Sequence, residues 1–314
     1  MAARMKAIRV HSRDGPKAIV YEDVAVPTAG PGEALVRVHA VGITPTEFTW
    51  NSTFTTSEGK DRLPSIPGFE VSGILEKPGA AITGLRTGEA VYGLLNFWRD
   101  GAAAEYVVAR AADLAPKPAS LDHVQAAAVP LSGLTAWQAL FDHAGLEAGQ
   151  RVLIHGAAGG VGTYAVQLAH WHGAHVIATA SARNHAFLRE LGATDVLDYN
   201  AARFEDRARG VDAVIDTVGG ETLERSWGVL RRGGVLVTIA GDAPEETART
   251  HGVRGVSMLV QPSRSQLVEL GRLLDAGTIR PVVEGSFPLA RAREAYEHGL
   301  LGHNRGKTVL RVVA

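Results

Sequence analysis

A glycine-rich segment at Gly156–Gly162 (GAAGGVG) has the composition and setting of a phosphate-binding turn. The strand-like sequence RVLIH precedes it, and a helix with apolar residues on one face follows it. Small residues permit a tight turn, while the free N–H groups and positive dipole of a helix N-terminus attract a pyrophosphate. The first position of the G-x-G-x-x-G fingerprint is Ala157 here. The segment predicts a dinucleotide site, with a turn that only packs as the alternative.

The residues after the second strand, HVIATASAR, indicate which dinucleotide binds. NAD-binding sheets carry an acid about 20 residues after the turn, which hydrogen-bonds the ribose hydroxyls. Here Thr179, 20 residues after Gly159, is predicted to occupy that place, and Arg183 follows. A guanidinium can hold a 2′-phosphate that a carboxylate would repel. The cofactor is therefore expected to be NADPH, unless Arg183 is only a solvated residue at a helix start.

The elements that would position this turn divide the 314 residues into two patterns. Short β segments broken by Gly and Pro run to about Pro118 and predict a β-rich barrel. After Gly149, alternating apolar strands and helices predict an α/β, doubly wound parallel sheet. We expect a first domain over residues 1–122, completed by 262–314, and a nucleotide domain over 123–261.

Composition narrows the function further. Lys+Arg 32 against Asp+Glu 33 gives a net charge of −1, so no basic field favours nucleic acid or anionic lipid. Cysteine is absent, which excludes disulfides, thiolate catalysis and every cysteine-containing zinc site. No apolar run approaches the roughly 18 residues of a membrane span, and the N-terminal sequence lacks the apolar stretch of a signal peptide. The cytoplasm is the expected location.

The order of several segments carries a family resemblance. They are MKAIRV, AVGITPTEF, PSIPGFEVSG, GAAAEYVV, AAAVPLSGLTAWQAL, HGAAGGVGTYAVQLA, LRELGATDVLDY, DTVGG and the terminal GKTVL. The chain resembles the medium-chain dehydrogenase/reductase superfamily, and within it the zinc-independent quinone oxidoreductases that include zeta-crystallin. The resemblance implies a GroES-like barrel together with a Rossmann nucleotide domain. It also implies a homodimer joined through the last strand of the nucleotide sheet, around residues 253–260.

The resemblance also indicates that no metal is bound. The zinc alcohol dehydrogenases of the superfamily take catalytic ligands from positions that correspond to Thr44, Phe69 and Leu131, none of which can bind Zn²⁺. Glu70 survives from the zinc motif. Either an ion pair or hydrogen bond, or a direct role, is open for it.

By resemblance, the cofactor contacts fall on the turn, on the ends of the following strands, on the preceding helix and near the C-terminus. The expected cofactor residues are Thr135, Ala158, Gly159, Gly160, Val161, Gly162, Ser181, Arg183, Tyr199, Ile239, Ala240, Gly241, Leu259, Val260, Gln261 and Asn304. Ser181, Arg183 and Tyr199 would meet the 2′-phosphate, and the two segments 239–241 and 259–261 would border the nicotinamide. The alternatives are that Tyr199 caps a strand and that Leu259 is core.

The expected substrate pocket comprises Thr44, Glu47, Trp50 and Trp98, with ordinary packing as the alternative for Trp98. The family usually has Asn at the first of these positions. We expect hydride transfer from NADPH to a quinone or an α,β-unsaturated carbonyl compound, with no side chain as an indispensable acid or base, because solvent can protonate the product anion. The alternatives are an enoyl-thioester reductase and a non-catalytic NADPH-binding protein of structural or RNA-binding type.

Overall fold

The computed structural model describes residues 3–79, 84–302 and 304–313, and the chain divides into two compact units. The first unit contains Met1–Leu131, Pro262–Gly277 and Pro281–Ala314. The second contains Ser132–Gln261 and Thr278–Arg280. The chain thus enters the second unit within the helix Pro130–Trp137, later than residue 122, where the sequence placed the domain boundary.

In the part of the chain that the structure describes, the strands are β1 (Arg4–Val10), β2 (Ile19–Ala25), β3 (Glu33–Ile43), β4 (Glu70–Pro78), β5 (Ala90–Leu94), β6 (Tyr106–Arg110), β7 (Leu114–Pro116), β8 (Arg151–Ile154), β9 (His175–Ala180), β10 (Asp195–Asp198), β11 (Val211–Asp216), β12 (Leu230–Thr238), β13 (Arg254–Ser257), β14 (Val283–Pro288) and β15 (Lys307–Arg311). The α-helices are α1 (Asn51–Phe54), α2 (His123–Ala127), α3 (Pro130–Trp137), α4 (Gly160–Trp171), α5 (His185–Glu190), α6 (Gly220–Ser226), α7 (Glu245–His251), α8 (Arg264–Asp275) and α9 (Ala292–Leu300). A π-helical turn, Gln138–His143, continues α3. None of the described helices has both the length and the apolar character that a membrane crossing requires.

Strand β3 organises the first unit. Its residues Ala34, Val36, Val38 and Ala40 are fully buried and alternate with half-buried neighbours, which is the period of two expected for a strand with one face on the core. It pairs antiparallel with β4, β6 and β15, so the final strand of the chain joins the first unit. The sheet order is β14-β15-β3-β4-β5-β7, with β6 also on β3, and β1 and β2 form a separate pair. This is the predicted β-rich, GroES-like fold.

The second unit is a six-stranded sheet in the order β10-β9-β8-β11-β12-β13. Every pair in it is parallel, and its central strands are nearly continuous runs of buried residues, as expected for a sheet covered on both faces. The strand order reverses between β8 and β11. Ligands of open parallel sheets bind beside such a reversal, at the carboxyl ends of the strands. The doubly wound Rossmann fold is therefore confirmed, and β8 delivers the glycine-rich turn to the reversal point.

Helix α8 ties the C-terminal part of the chain to the first unit. Its stripe of Leu267, Leu270, Leu273 and Leu274 is buried, in the spacing of one helix face. The buried Tyr92 of β5 donates its hydroxyl hydrogen to the carbonyl oxygen of Leu267 over 2.5 Å. A hydroxyl without that acceptor would be desolvated with no compensation.

We expect Tyr92→Phe to lower the free energy of unfolding by about 1 kcal/mol, because the buried carbonyl of Leu267 loses its hydroxyl donor. Chemical denaturation measures this change. Tyr21→Phe is the matched control, since Tyr21 lies in the same unit with 42% of its surface exposed and should leave the midpoint unchanged. Identical midpoints for both variants would contradict the role given to this hydrogen bond.

Candidate functional site

The glycine-rich turn is built so tightly that side chains are excluded from it. Gly156 has a φ of +65°, and a Cβ there would lie 2.3 Å from Thr217 Oγ1. A Cβ on Gly162 would lie 2.3 Å from the carbonyl oxygen of Gly156 and 2.6 Å from Ala157 Cα. Glycine is therefore required at both positions, for a left-handed backbone at the first and for close packing of helix on turn at the second.

The same turn presents hydrogen-bond donors. Gly159 is the N-cap of α4 and has no side chain to cap the helix, whose first turn begins at Gly160. The first N–H groups of a helix have no intrahelical acceptor, and the helix dipole adds positive potential at the same point. The residues present thus fit the pyrophosphate of a dinucleotide: a cradle too narrow for a Cβ and a helix start without a side-chain cap.

The carboxyl ends of the neighbouring strands place the residues predicted for the 2′-phosphate side by side. Asp198, the last residue of β10, pairs in register with Ala180, the last residue of β9. Ser181 and Tyr199 follow these paired residues directly, and Tyr199 is half exposed. Arg183, two residues further, is exposed.

Thr179 is not the position of the missing acid, contrary to the sequence prediction. Its side chain is buried, and its Oγ1 lies 3.0 Å from His155 Nδ1. The strand runs one residue beyond Thr179, to Ala180, so Ser181 is the first residue past its end. The small hydroxyl residue Ser181, and not Thr179, therefore stands first after the end of β9.

The segments expected at the nicotinamide also follow strand ends. Ile239–Gly241 succeeds β12, and Leu259–Gln261 comes two residues after its parallel neighbour β13. Gln261 is fixed by two hydrogen bonds with the Gln138 side chain, which donates to its carbonyl oxygen over 2.8 Å and accepts from its N–H over 3.0 Å. Leu259 is 64% exposed, so it is not core. Thr135 is buried in α3.

Asn304 belongs to the first unit, where its side-chain amide donates to the carbonyl oxygen of Gly299 over 3.2 Å. The structure thus gives this residue a local partner at the end of α9.

A buried ion pair adjoins the positions that correspond to zinc ligands. Lys307 Nζ pairs with Glu70 Oε1 and donates to Thr44 Oγ1 over 3.1 Å, while Glu70 Oε2 accepts the N–H of Leu131 over 2.9 Å. Glu70 and Lys307 are 1% and 5% exposed. The Lys307–Glu70 pair therefore hydrogen-bonds to Thr44 and to Leu131, and Glu70 directly follows Phe69 in the sequence. Of the two roles open for Glu70, the structure shows the ion pair.

Glu47 is held by three donors inside the first unit. Its Oε2 accepts from the Gly68 N–H over 2.8 Å, and its Oε1 accepts from the Tyr296 hydroxyl over 2.7 Å and from the Thr44 N–H over 3.2 Å. Burial raises the pKa of the Glu47 carboxyl, while these hydrogen bonds oppose the shift. Both oxygens are occupied, which makes Glu47 a junction between elements of the first unit.

The predicted pocket tryptophans differ in their surroundings. Trp50 stacks on Phe69 with ring centroids 6.2 Å apart and meets Phe97 edge-on at 5.5 Å. Trp98 is 40% exposed, and its backbone N–H donates to Asn96 Oδ1. Sequence reasoning missed Lys307, Tyr296 and Phe97. A lysine at the start of the strand KTVLR, two residues before the pair Val309 and Leu310, was the available signal. Across the residues that the structure describes, no group of three or more His, Asp or Glu side chains is placed to hold a metal ion.

Comparison with known proteins places this architecture in a family. Residues 30–119 match the family model described as alcohol dehydrogenase GroES-like domain, and residues 191–310 match that described as zinc-binding dehydrogenase. The chain is 33% identical to the mitochondrial NAD(P)H oxidoreductase RTN4IP1 of Danio rerio, covering 90% of this chain and 84% of that protein. It is 32% identical to the quinone oxidoreductase of Mus musculus, covering 97% and 96%.

A solved structure agrees with these sequence matches. The quinone oxidoreductase from Coxiella burnetii superposes with a TM-score of 0.91 at 34% identity, covering 99% of this chain and 100% of that one. Identity above 30% over nearly the full length of both chains shows common membership as well as a common fold. The chain therefore belongs to the quinone oxidoreductase family of the medium-chain dehydrogenase/reductase superfamily, a family of nicotinamide-dependent oxidoreductases.

Proposed function

We propose that this chain is an NADPH-dependent oxidoreductase that transfers hydride to a quinone or to the β-carbon of an α,β-unsaturated carbonyl compound, without a metal ion. The observation that carries the metal-independent part is the Lys307–Glu70 pair. A fixed ammonium beside Thr44 would repel a zinc ion, and Thr44, Phe69 and Leu131 offer no thiolate, imidazole or carboxylate. In this proposal the chain binds no zinc, although residues 191–310 match the family described as zinc-binding dehydrogenase.

The quinone acceptor is supported by the names of the relatives in mouse and Coxiella. NADPH supplies the hydride when it is bound, and the chain binds it, orients it and excludes water. In this proposal residues 158–161 bind the pyrophosphate, Gly162 lets the helix pack against the turn, and the segments 239–241 and 259–261 border the nicotinamide. Thr44, Trp50 and Trp98 line the substrate pocket. Glu47 holds the backbone of Thr44 by accepting its N–H.

The preference for NADPH rests on the groups at the ends of β9 and β10. Ser181 and Tyr199 offer hydroxyl groups and Arg183 offers a guanidinium to a 2′-phosphate. The nearby Asp198 carboxylate accepts from the backbone and side-chain amides of Asn200 over 2.9 and 3.2 Å, so it is engaged within its own turn.

The experiment that tests the proposal is NADPH oxidation with a panel of quinones, enones and enoyl thioesters at catalytic enzyme concentration. We expect turnover with quinones or enones, a lower rate with NADH, and a kcat reduced less than about tenfold by Thr44→Ala, since no dedicated acid is removed. Turnover confined to enoyl thioesters would overturn the substrate assignment. The absence of turnover with every acceptor would favour a non-catalytic NADPH-binding protein.

Arg183→Glu should narrow the preference for NADPH over NADH by about 1–3 kcal/mol, because a charged hydrogen-bond donor to the 2′-phosphate becomes a repelling carboxylate. Arg189→Glu is the matched control, since it makes the same charge change at an exposed position further along α5. Equal affinities for NADPH and NADH in the unaltered protein would rule out the assignment of the 2′-phosphate site.

We further propose a cytoplasmic location, while some relatives carry the word mitochondrial in their names.

We also propose a homodimer joined through β13, as predicted for the segment around residues 253–260. Strand β13 is the last in its sheet. The Met258 N–H donates to the Thr238 carbonyl of β12. Because successive N–H groups of a strand alternate in direction, the Ser257 N–H points away from β12, where a second copy could pair.

Sedimentation should give twice the chain mass of 33.2 kDa at micromolar concentration. Ser257→Pro removes the outward N–H and should shift the protein toward monomer. Ser257→Ala is the control, because it removes only the hydroxyl that accepts from the Ala243 N–H and should remain dimeric. A monomeric mass for the unaltered protein would exclude the proposed dimer.

A further inference from the structure

His155 occupies the single residue between strand β8 and Gly156, the first glycine of the turn, and its imidazole is only 1% exposed. Both ring nitrogens have partners on other elements. Nδ1 lies 3.0 Å from Thr179 Oγ1 on β9, and Nε2 lies 3.0 Å from Ser226 Oγ on α6. The ring also meets Phe204 edge-on at 4.6 Å. One buried side chain thus connects the strand that delivers the turn to three other segments.

The partners of Ser226 fix the tautomer of the ring. Ser226 donates its only hydroxyl hydrogen to the carbonyl oxygen of Thr222 over 2.6 Å. Toward His155 it can therefore only accept, so the proton of the neutral imidazole is on Nε2 and Nδ1 accepts from the Thr179 hydroxyl. Burial lowers the pKa of His155 to about 4, which keeps the imidazole neutral near pH 7. The ring is consequently fixed in orientation as well as in place.

His155 and Thr179 also hold the backbone of the turn through their carbonyl oxygens. The carbonyl oxygen of His155 accepts from Thr217 Oγ1 over 2.9 Å, and the carbonyl oxygen of Thr179 accepts from the Ala157 N–H over 3.3 Å. The following glycines have no side chains with which to anchor themselves. Their backbone is conformationally permissive, so its direction must be set by the residues that enter and flank the turn.

We propose that His155 is a positioning residue for the cofactor, which through Thr179 and Ser226 holds the turn with its N–H groups directed at the pyrophosphate. The inference rests on the proposed function, in which this turn binds NADPH. Ordering the turn before the cofactor arrives removes an entropic cost from binding, so loss of these contacts weakens affinity even in a folded protein. The expected weakening is about fivefold for each hydrogen bond removed, which is the scale of one such bond.

The test is the Kd for NADPH, measured by titration well below the unfolding temperature, together with the Tm of each variant. Thr179→Val and Ser226→Ala each remove one partner, and His155→Phe removes both bonds while retaining a ring against Phe204. We expect about fivefold weaker binding for each of the first two and at least tenfold for the third. The triple variant combines Thr179→Val, Ser226→Ala and His155→Phe, so that apolar groups face one another. Its Tm should therefore be higher than that of the single variants, while its NADPH binding remains weak.

Val211→Ala is the matched control, because it truncates a fully buried side chain at the amino end of β11, the opposite end of the sheet from the turn. It should lower Tm and leave the Kd unchanged. The inference is overturned if the two single hydroxyl variants bind NADPH within twofold of the unaltered protein. Recovery of both Tm and affinity in the triple variant, or an equal loss of affinity in the control, would likewise overturn it. If His155→Phe does not fold, the NADPH affinities of Thr179→Val and Ser226→Ala alone decide the question.

Gly162→Val separates this inference from the proposed function. It blocks the cradle directly and should abolish NADPH binding whatever His155 does. Tight binding by this variant would overturn the site at the turn itself. Loss of binding in Gly162→Val with unchanged affinity in the His155, Thr179 and Ser226 variants would retain the site and reject the positioning role.

Discussion

The ammonium of Lys307 is buried, and a buried charge must be paired. Glu70 supplies the opposite charge, Thr44 accepts one of the ammonium hydrogens, and the second oxygen of Glu70 is satisfied by the Leu131 N–H. Removing one partner of such a pair typically costs about 3–5 kcal/mol, since it leaves the other charge desolvated. The pair therefore requires β15 to lie beside β3 and α3 to begin near Glu70. In the proposed function the same pair places the Lys307 side chain beside Thr44, one of the positions that by resemblance correspond to zinc ligands, so one interaction organises the first unit and supports the proposal of a metal-free reaction.

In the second unit the corresponding constraint is the reversal of strand order beside β8. At such a reversal the connections that follow the two neighbouring strands leave toward opposite faces of the sheet, which opens a crevice for a ligand at the carboxyl ends. The turn at Gly156–Gly162 stands at that point. The register of β9 and β10 brings together the residues proposed for the 2′-phosphate, and that of β12 and β13 the segments proposed for the nicotinamide. The sheet thereby brings residues that are far apart in sequence to one edge, where the cofactor contacts are proposed. His155 connects the turn at this edge to Thr179 and Ser226 in the core.

The elements of the nucleotide unit could be predicted because the signal was local. Continuous apolar strands, an amphipathic helix and a glycine cluster between them are visible within about thirty residues. The end of a strand is less visible, and the error at Thr179 arose there: the register of one strand decides whether a side chain faces the core or the ligand. The contacts of the first unit could not be predicted at all. Tyr296 reaches Glu47 across 249 residues and Lys307 reaches Thr44 across 263, and no spacing rule relates such pairs.

The central claim, that hydride transfer here needs the nicotinamide cofactor but no metal ion, is tested most directly by metal content and activity measured on the same sample. Elemental analysis of the purified protein should find no stoichiometric zinc, and dialysis against a strong chelator should leave the rate of NADPH oxidation unchanged. Stoichiometric zinc that is lost together with activity, with both restored when zinc is added back, would contradict the account.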